Sequence, residues 1–235
     1  MMNHSLFLLC LGAVSVNAFV QPQFANVHRR VFVVAPLCSA KTDDDVTLQN
    51  AFGVGAFVEF QEKKRTHVGK IDTVEHKSSG GARYTIIDSE GKKYGVADKA
   101  VLYSMPSPNS VGQAAKLFDD FCRAQDAPDV SLQDQLDISP YLLEMAWEEV
   151  SAEDDEGGHI MTPNALIELV HSHTASALEK YLAWKLLKTD LAHVFFKEIK
   201  DHGRVVAFKA KTEKAVEAAK QSFCKSHEDS EICFV

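Results

Sequence analysis

The stretch Ser104-Met105-Pro106-Ser107-Pro108-Asn109 divides this chain in two. Proline has no backbone N–H and a fixed φ, so two prolines this close exclude both a strand ladder and a helix interior. Upstream, between Asn50 and Tyr103, short β-type runs occupy 55–61, 66–75, 83–88, 93–96 and 101–103, with Ser78-Ser79-Gly80-Gly81 and Ser89-Glu90-Gly91 as turn punctuation. Downstream the apolar period becomes helical. The fold class expected is α+β: a small five-stranded β-barrel of cold-shock or SH3-like type over 50–104, a linker over 105–110, a mainly helical winged-helix domain over 111–225, and a tail over 226–235.

Five strands in about fifty residues favour a barrel, because an open sheet of that size leaves a face and edges uncovered. In the first strand Ala56, Val58 and Phe60 alternate with Phe57 and Glu59, which turns Phe57 out of the barrel. In the second half, helices are predicted over 111–123, 140–150, 163–171, 175–189 and 212–223, and 127–139 reads as a Pro- and Asp-containing break. Thr162-Pro163 is an N-cap followed by proline at the first helical position. Strand-like runs at 194–200 and 204–209, joined by Asp201-His202-Gly203, complete the three-helix-then-hairpin order of a winged-helix unit.

No Asp or Glu occurs from Met1 to Thr42, whereas the remainder holds all 33 acids against 22 bases, a balance of -11. The apolar run Leu6 to Val16 is of signal-peptide length and too short to span a membrane. Residues 1–18 read as a signal peptide and 19–40, with Arg29 and Arg30, as a transit-peptide-like segment. The Asn17-Ala18-Phe19-Val20-Gln21-Pro22 junction resembles the bipartite presequences of algae with secondary plastids, which implies plastid delivery and a mature start near Ala40; the alternative is secretion. The thiols left after such processing, Cys122, Cys224 and Cys233, form no Cys-x-x-Cys, so neither a disulfide framework nor a zinc site is indicated.

Charge is unevenly placed. The barrel segment carries nine bases against seven acids, residues 104–192 carry five against sixteen, and residues 193–235 carry eight against seven. A net -8 excludes a protein that simply coats nucleic acid or an anionic membrane, yet leaves a positive island on the barrel and another on the hairpin.

Four stretches together resemble the N-terminal portion of the cyanobacterial and plastid branch of the exoribonuclease II/R family: Gly55-Ala56-Phe57-Val58-Glu59-Phe60, Pro140-Tyr141-Leu142-Leu143-Glu144-Met145-Ala146-Trp147, Thr162-Pro163-Asn164-Ala165-Leu166-Ile167-Glu168-Leu169, and Ala177-Leu178-Glu179-Lys180-Tyr181-Leu182-Ala183 with Phe195-Phe196-Lys197 beyond. The resemblance covers residues 50 to 220 and implies a cold-shock-like barrel and a winged-helix region of the kind that precedes a Mg²⁺-dependent 3′-end nuclease domain. That domain is not represented among these residues, and neither Asp43-Asp44-Asp45 nor Glu153-Asp154-Asp155-Glu156 lies in a framework suited to fix metals. No enzyme activity and no cofactor is therefore expected.

The candidate RNA-binding residues are Phe57, Lys63, Lys64, Arg65, Lys70, Arg83 and Tyr84 on the barrel, continued by Lys197, Lys200 and Arg204 on the hairpin. Cations would track the backbone while aromatics stack bases. The expected partner is single-stranded RNA, bound weakly and without sequence preference, with a nuclease or another plastid protein as a second partner and no membrane. His171-x-His173 reads as a helix-end pair, since side chains at i and i+2 diverge on a helix, and Trp147 and Trp184 read as core. Two rivals stand beside this reading. One is a protein-interaction adaptor whose acidic helices dock a basic partner on a barrel spacer; the other is the N-terminal fragment of a longer exoribonuclease.

Overall fold

The computed structural model describes residues 52–78, 80–151, 160–201 and 203–226. The expected presequence, both acidic runs, His202 and the tail from 227 lie outside the described residues. Strands β1 (Phe57–Glu62), β2 (Arg65–His76), β3 (Ala82–Ile87), β4 (Lys93–Ala97) and β5 (Val101–Met105) form an antiparallel sheet in the order β4-β3-β2-β1-β5. A 3₁₀ turn, Asp98–Ala100, carries the chain from β4 back to the free edge of β1. The curled sheet closes on Val58, Phe60, Ile71, Tyr84, Ile86, Tyr94, Val96 and Val101, all buried. Period-2 alternation sends every second side chain of β1 the other way.

That other face is not solvated. Phe57, Val68 and Met105 belong to a second, larger core built by the helices α1 (Val111–Asp126), α2 (Asp129–Leu136), α3 (Pro140–Ser151), α4 (Pro163–His171), α5 (Ala177–Leu186), α6 (Ala192–Phe195) and α7 (Glu213–Ser226). Phe57 is 2% exposed, its ring 5.0 Å from that of Phe118 on α1. Across the same junction Tyr103 of β5 lies 5.1 Å from Tyr181 and 5.0 Å from Trp184 of α5, and Phe121 of α1 meets Tyr181 edge-on at 4.5 Å. Tilted and edge-on pairs at these separations add roughly 0.5 to 1.5 kcal/mol each beyond area burial.

Short strands β6 (Ile160–Met161), β7 (Phe196–Asp201) and β8 (Arg204–Ala210) form a three-stranded sheet in the order β6-β8-β7. The succession α3-β6-α4-α5-β7-β8, with the β7-β8 hairpin as wing, is a winged helix. Local chemistry fixes its helix starts. Thr162 Oγ1 accepts the Ala165 N–H at 3.1 Å with Pro163 in the first turn. Ser176 and Glu179 form a reciprocal capping box at 3.2 and 2.7 Å. Trp147 and Trp184 are buried, their indole N–H groups donating to the carbonyls of Lys211 at 2.8 Å and Val205 at 3.3 Å.

Three expectations change. The break predicted over 127–139 contains α2, with Pro128 just before its first turn and Asp129 favourably placed on the helix dipole. The single helix predicted over 175–189 ends at Leu186, and a separate turn, α6, occupies the start of the predicted strand. Phe57 does turn out of the barrel, but into the helical core.

Candidate nucleic-acid interface

In helix-turn-helix proteins the second helix of the motif enters the major groove. Its counterpart here, α5, is mostly packed against other elements. Tyr181, Leu182, Ala183, Trp184 and Leu186 are buried, and the helix is packed by α1, α2, α4 and β5. Lys185 of this helix and Lys188 just beyond it are also engaged. Lys185 Nζ donates to the carbonyls of Ala124, Gln125 and Ala127 at 2.8, 2.9 and 3.2 Å, capping the C-terminus of α1, and burial holds its ammonium below the usual lysine range. Lys188 Nζ sits 3.9 Å over the Trp184 ring. Reading of base edges through this helix is blocked by packing.

The wing presents different chemistry. On β7 and β8, Lys197 lies directly opposite Lys209, with Ile199 opposite Ala207 beside them and Ile160 of β6 opposite Lys209 on the other side. Both lysines are exposed, and like charges directly opposite on a sheet are destabilising. Among the described residues neither ammonium has an acidic partner: the wing's Glu198 pairs with Lys200 at 2.8 Å. Lys211, which donates to the His193 carbonyl, has its ammonium pushed below the usual range by burial and then by the charge of Lys197. Three cationic side chains therefore converge at one end of the wing.

At the barrel, β1 and β2 are joined by Lys63 and Lys64, between the paired residues Glu62 and Arg65. Both turn residues have positive φ, +46° and +72°, the two-residue pattern that hairpins normally fill with Asn-Gly. A left-handed residue other than glycine costs roughly 1 to 2 kcal/mol. Lys63, Lys64 and Arg65 are exposed, as are Lys70 and Arg83, but they form no single patch. Arg65 and Glu75 stand at opposite ends of β2, roughly 33 Å apart if the strand were straight, and Arg83 lies opposite Glu75 with its guanidinium across Gly95.

Three expected contacts are withdrawn by burial. Phe57 is packed on Phe118, as above. Tyr84 is fully buried in the barrel, donating its hydroxyl to Asp98 at 2.7 Å and accepting the Phe52 N–H at 3.2 Å; burial, and then the bond to Asp98, push its phenol up to about 12 against the opposing effect of the Phe52 N–H. Arg204 is 8% exposed and bonded to the 3₁₀ turn of the barrel. Neither base stacking on these two rings nor phosphate contact by this guanidinium is open to them. Lys200 is exposed but paired with Glu198. Lys209, absent from the expected set, is the residue that the register adds.

His171 Nε2 donates to the Leu136 carbonyl at 2.7 Å, and His173 pairs with Glu179 at 3.0 Å. The two rings stack at 5.8 Å rather than diverge, because Ser172 adopts the left-handed conformation and ends α4 between them. Among the described residues no cluster of three His, Cys, Asp or Glu side chains could hold a metal, and no helix is long and apolar enough to cross a membrane.

Residues 130–215 match the family model described as the ribonuclease II winged helix domain. The match runs from α2 to the start of α7 and includes the wing. This region of the chain is thus a ribonuclease II-like winged helix. No curated protein matches the chain.

Proposed function

We propose that the chain is a non-catalytic RNA-binding accessory module, related to the N-terminal region of a 3′-5′ exoribonuclease II and acting in plastid RNA metabolism. The observation that carries this reading is the Lys197–Lys209 pair: two uncompensated cations held face to face on an exposed sheet, in a domain otherwise rich in acid. An anionic backbone laid across the wing would relieve their repulsion and release counterions. Lys63 and Lys64, held at a hairpin tip that backbone sterics disfavour for lysine, supply a second cationic point. With α5 buried and no exposed arginine fork on the wing, the contacts available are to phosphates, so binding is indifferent to sequence.

Fluorescence anisotropy with a single-stranded RNA oligomer tests this. Each lost phosphate contact lowers the salt slope by roughly 0.7, so K197A/K209A is expected to flatten it by about 1.4 and to weaken all sequences alike. No binding at low salt, or a double variant indistinguishable from the parent, would retire the proposal. Hydrolysis is expected to be absent with and without Mg²⁺. For the plastid assignment, mass spectrometry of the native N-terminus is expected to find it near Ala40; an intact Met1 or a secreted form rejects it.

A further inference from the structure

A strip on α3 has chemistry opposite to the wing's. Tyr141, Met145 and Glu148 follow the i, i+4, i+7 spacing of one helix face, and Glu149 flanks Met145. The buried side of the helix is accounted for by Leu143, Ala146 and Trp147. Tyr141 is 67% exposed and Met145 45%, and both glutamates are exposed. The cation bound to α3 itself, Lys220, pairs with Glu144 on the edge of the helix and not with this strip. Among the described residues, Glu148 and Glu149 have no ion-pair partner.

We infer that this face of α3 docks a lysine- or arginine-bearing amphipathic helix of a protein partner. An aromatic and a thioether one turn apart give an apolar seam, methionine adapts to irregular surfaces, and flanking carboxylates select basic residues at the seam's edge. The helix is 12 residues long, about 18 Å, so the contact is small and transient. It is independent of the RNA reading, because it shares no residue with the wing or the barrel turn.

The test uses the full chain and a fluorescein-labelled 18-residue peptide with Leu at i, i+3, i+4, i+7 spacing and Lys elsewhere. A second peptide of identical composition in scrambled order is the comparison. The amphipathic peptide is expected to bind with hydrogen-exchange protection confined to α3, and the scrambled peptide at least tenfold more weakly. Y141S/M145S is expected to weaken binding tenfold or more. The charge-reversed E148K/E149K, which touches only exposed positions, is expected to abolish it and its salt dependence, while K197A/K209A leaves it unchanged. Equal binding of the scrambled peptide, protection elsewhere in the chain, or full binding by E148K/E149K would overturn the inference.

Discussion

Arg204, on the first residue of β8, reaches out of the winged helix and pairs with Asp98 in the 3₁₀ turn of the barrel. Its Nε donates to the Val101 carbonyl at 3.1 Å, its Nη2 to the Asp98 carbonyl at 2.9 Å, and its guanidinium lies 4.7 Å from the centroid of the Phe52 ring. Asp98 in turn accepts the Tyr84 hydroxyl. A wing cation and a barrel acid are thereby joined in one hydrogen-bonded network, and the turn end of the wing is pinned to the barrel beside β5.

Replacing Arg204 with Met leaves Asp98 without its cation and two carbonyls without donors. Removing one partner of a largely buried pair costs about 3 kcal/mol or more. Denaturant titration of R204M should show a loss of that order, and R204M/D98N should lose less than the sum of the two singles, because they share one network. Additive losses would mean that the pair is not coupled. RNA affinity of the folded variant should be unchanged.

Glu59 gives stability a pH dependence of unusual sign for a carboxylate. It is 6% exposed, accepts the Tyr181 hydroxyl, and burial raises its pKa above the ordinary 4.5 despite that bond and the nearby Lys188 and Lys185. The folded state then holds this proton more tightly than the unfolded chain, so ionisation opposes folding. Stability from this group is greatest below pH 4.5 and falls as pH rises to the folded pKa. Glu59→Gln mimics the protonated acid. The difference in unfolding midpoint between E59Q and the parent should therefore grow in favour of E59Q from pH 4 upward and then level off; a constant difference would mean that the carboxyl is not perturbed.

Phe57 separates the sequence expectation from the structure most sharply. Phe57→Ala removes a ring held against Phe118 and should cost about 3 to 5 kcal/mol in thermal or denaturant unfolding. Measured on the remaining folded protein, the salt slope and affinity for RNA should match the parent's. A specific loss of RNA affinity without loss of stability would restore the stacking role that its burial denies.

What could be read from the sequence was what each segment decides locally. Thr162-Pro163 places the start of α4, and the turn glycines and alternation place the five strands, because caps and periods are properties of neighbours in the chain. Which outward face another module covers is not such a property: β1 alternation puts Phe57 outside the barrel, and only the docking of α1 buries it. Arg204 carries the same charge in the sequence as Lys200, and only its position beside the hairpin's turn, packed on the barrel, turns it toward Asp98. The Lys197–Lys209 pair depends on a bulge. From Asp201 opposite Arg204, a regular hairpin would set Lys197 against Phe208, and the irregularity between Ile199 and Lys200 moves Lys209 there instead. A hairpin's composition gives its charge, whereas register decides which charges meet.

The barrel turn offers a test in which stability and binding move in opposite directions. Lys63 and Lys64 both occupy positive φ, where lysine is strained and asparagine and glycine are at ease. Lys63→Asn with Lys64→Gly should therefore raise stability by about 1 kcal/mol or more, since each left-handed lysine costs roughly that much and the neighbouring pair Glu62–Arg65 keeps the register. The same change removes two exposed cations, so the salt slope for single-stranded RNA should flatten by about 1.4 if both touch phosphate. The strand pairing needs no lysine at these positions, and strained residues that persist against a cheaper alternative concentrate at functional sites. Unfolding midpoint and RNA anisotropy on the same preparation decide it. A more stable variant with undiminished RNA binding would remove the turn from the interface and leave the wing as the contact, and a less stable one would mean that the turn's backbone is not strained.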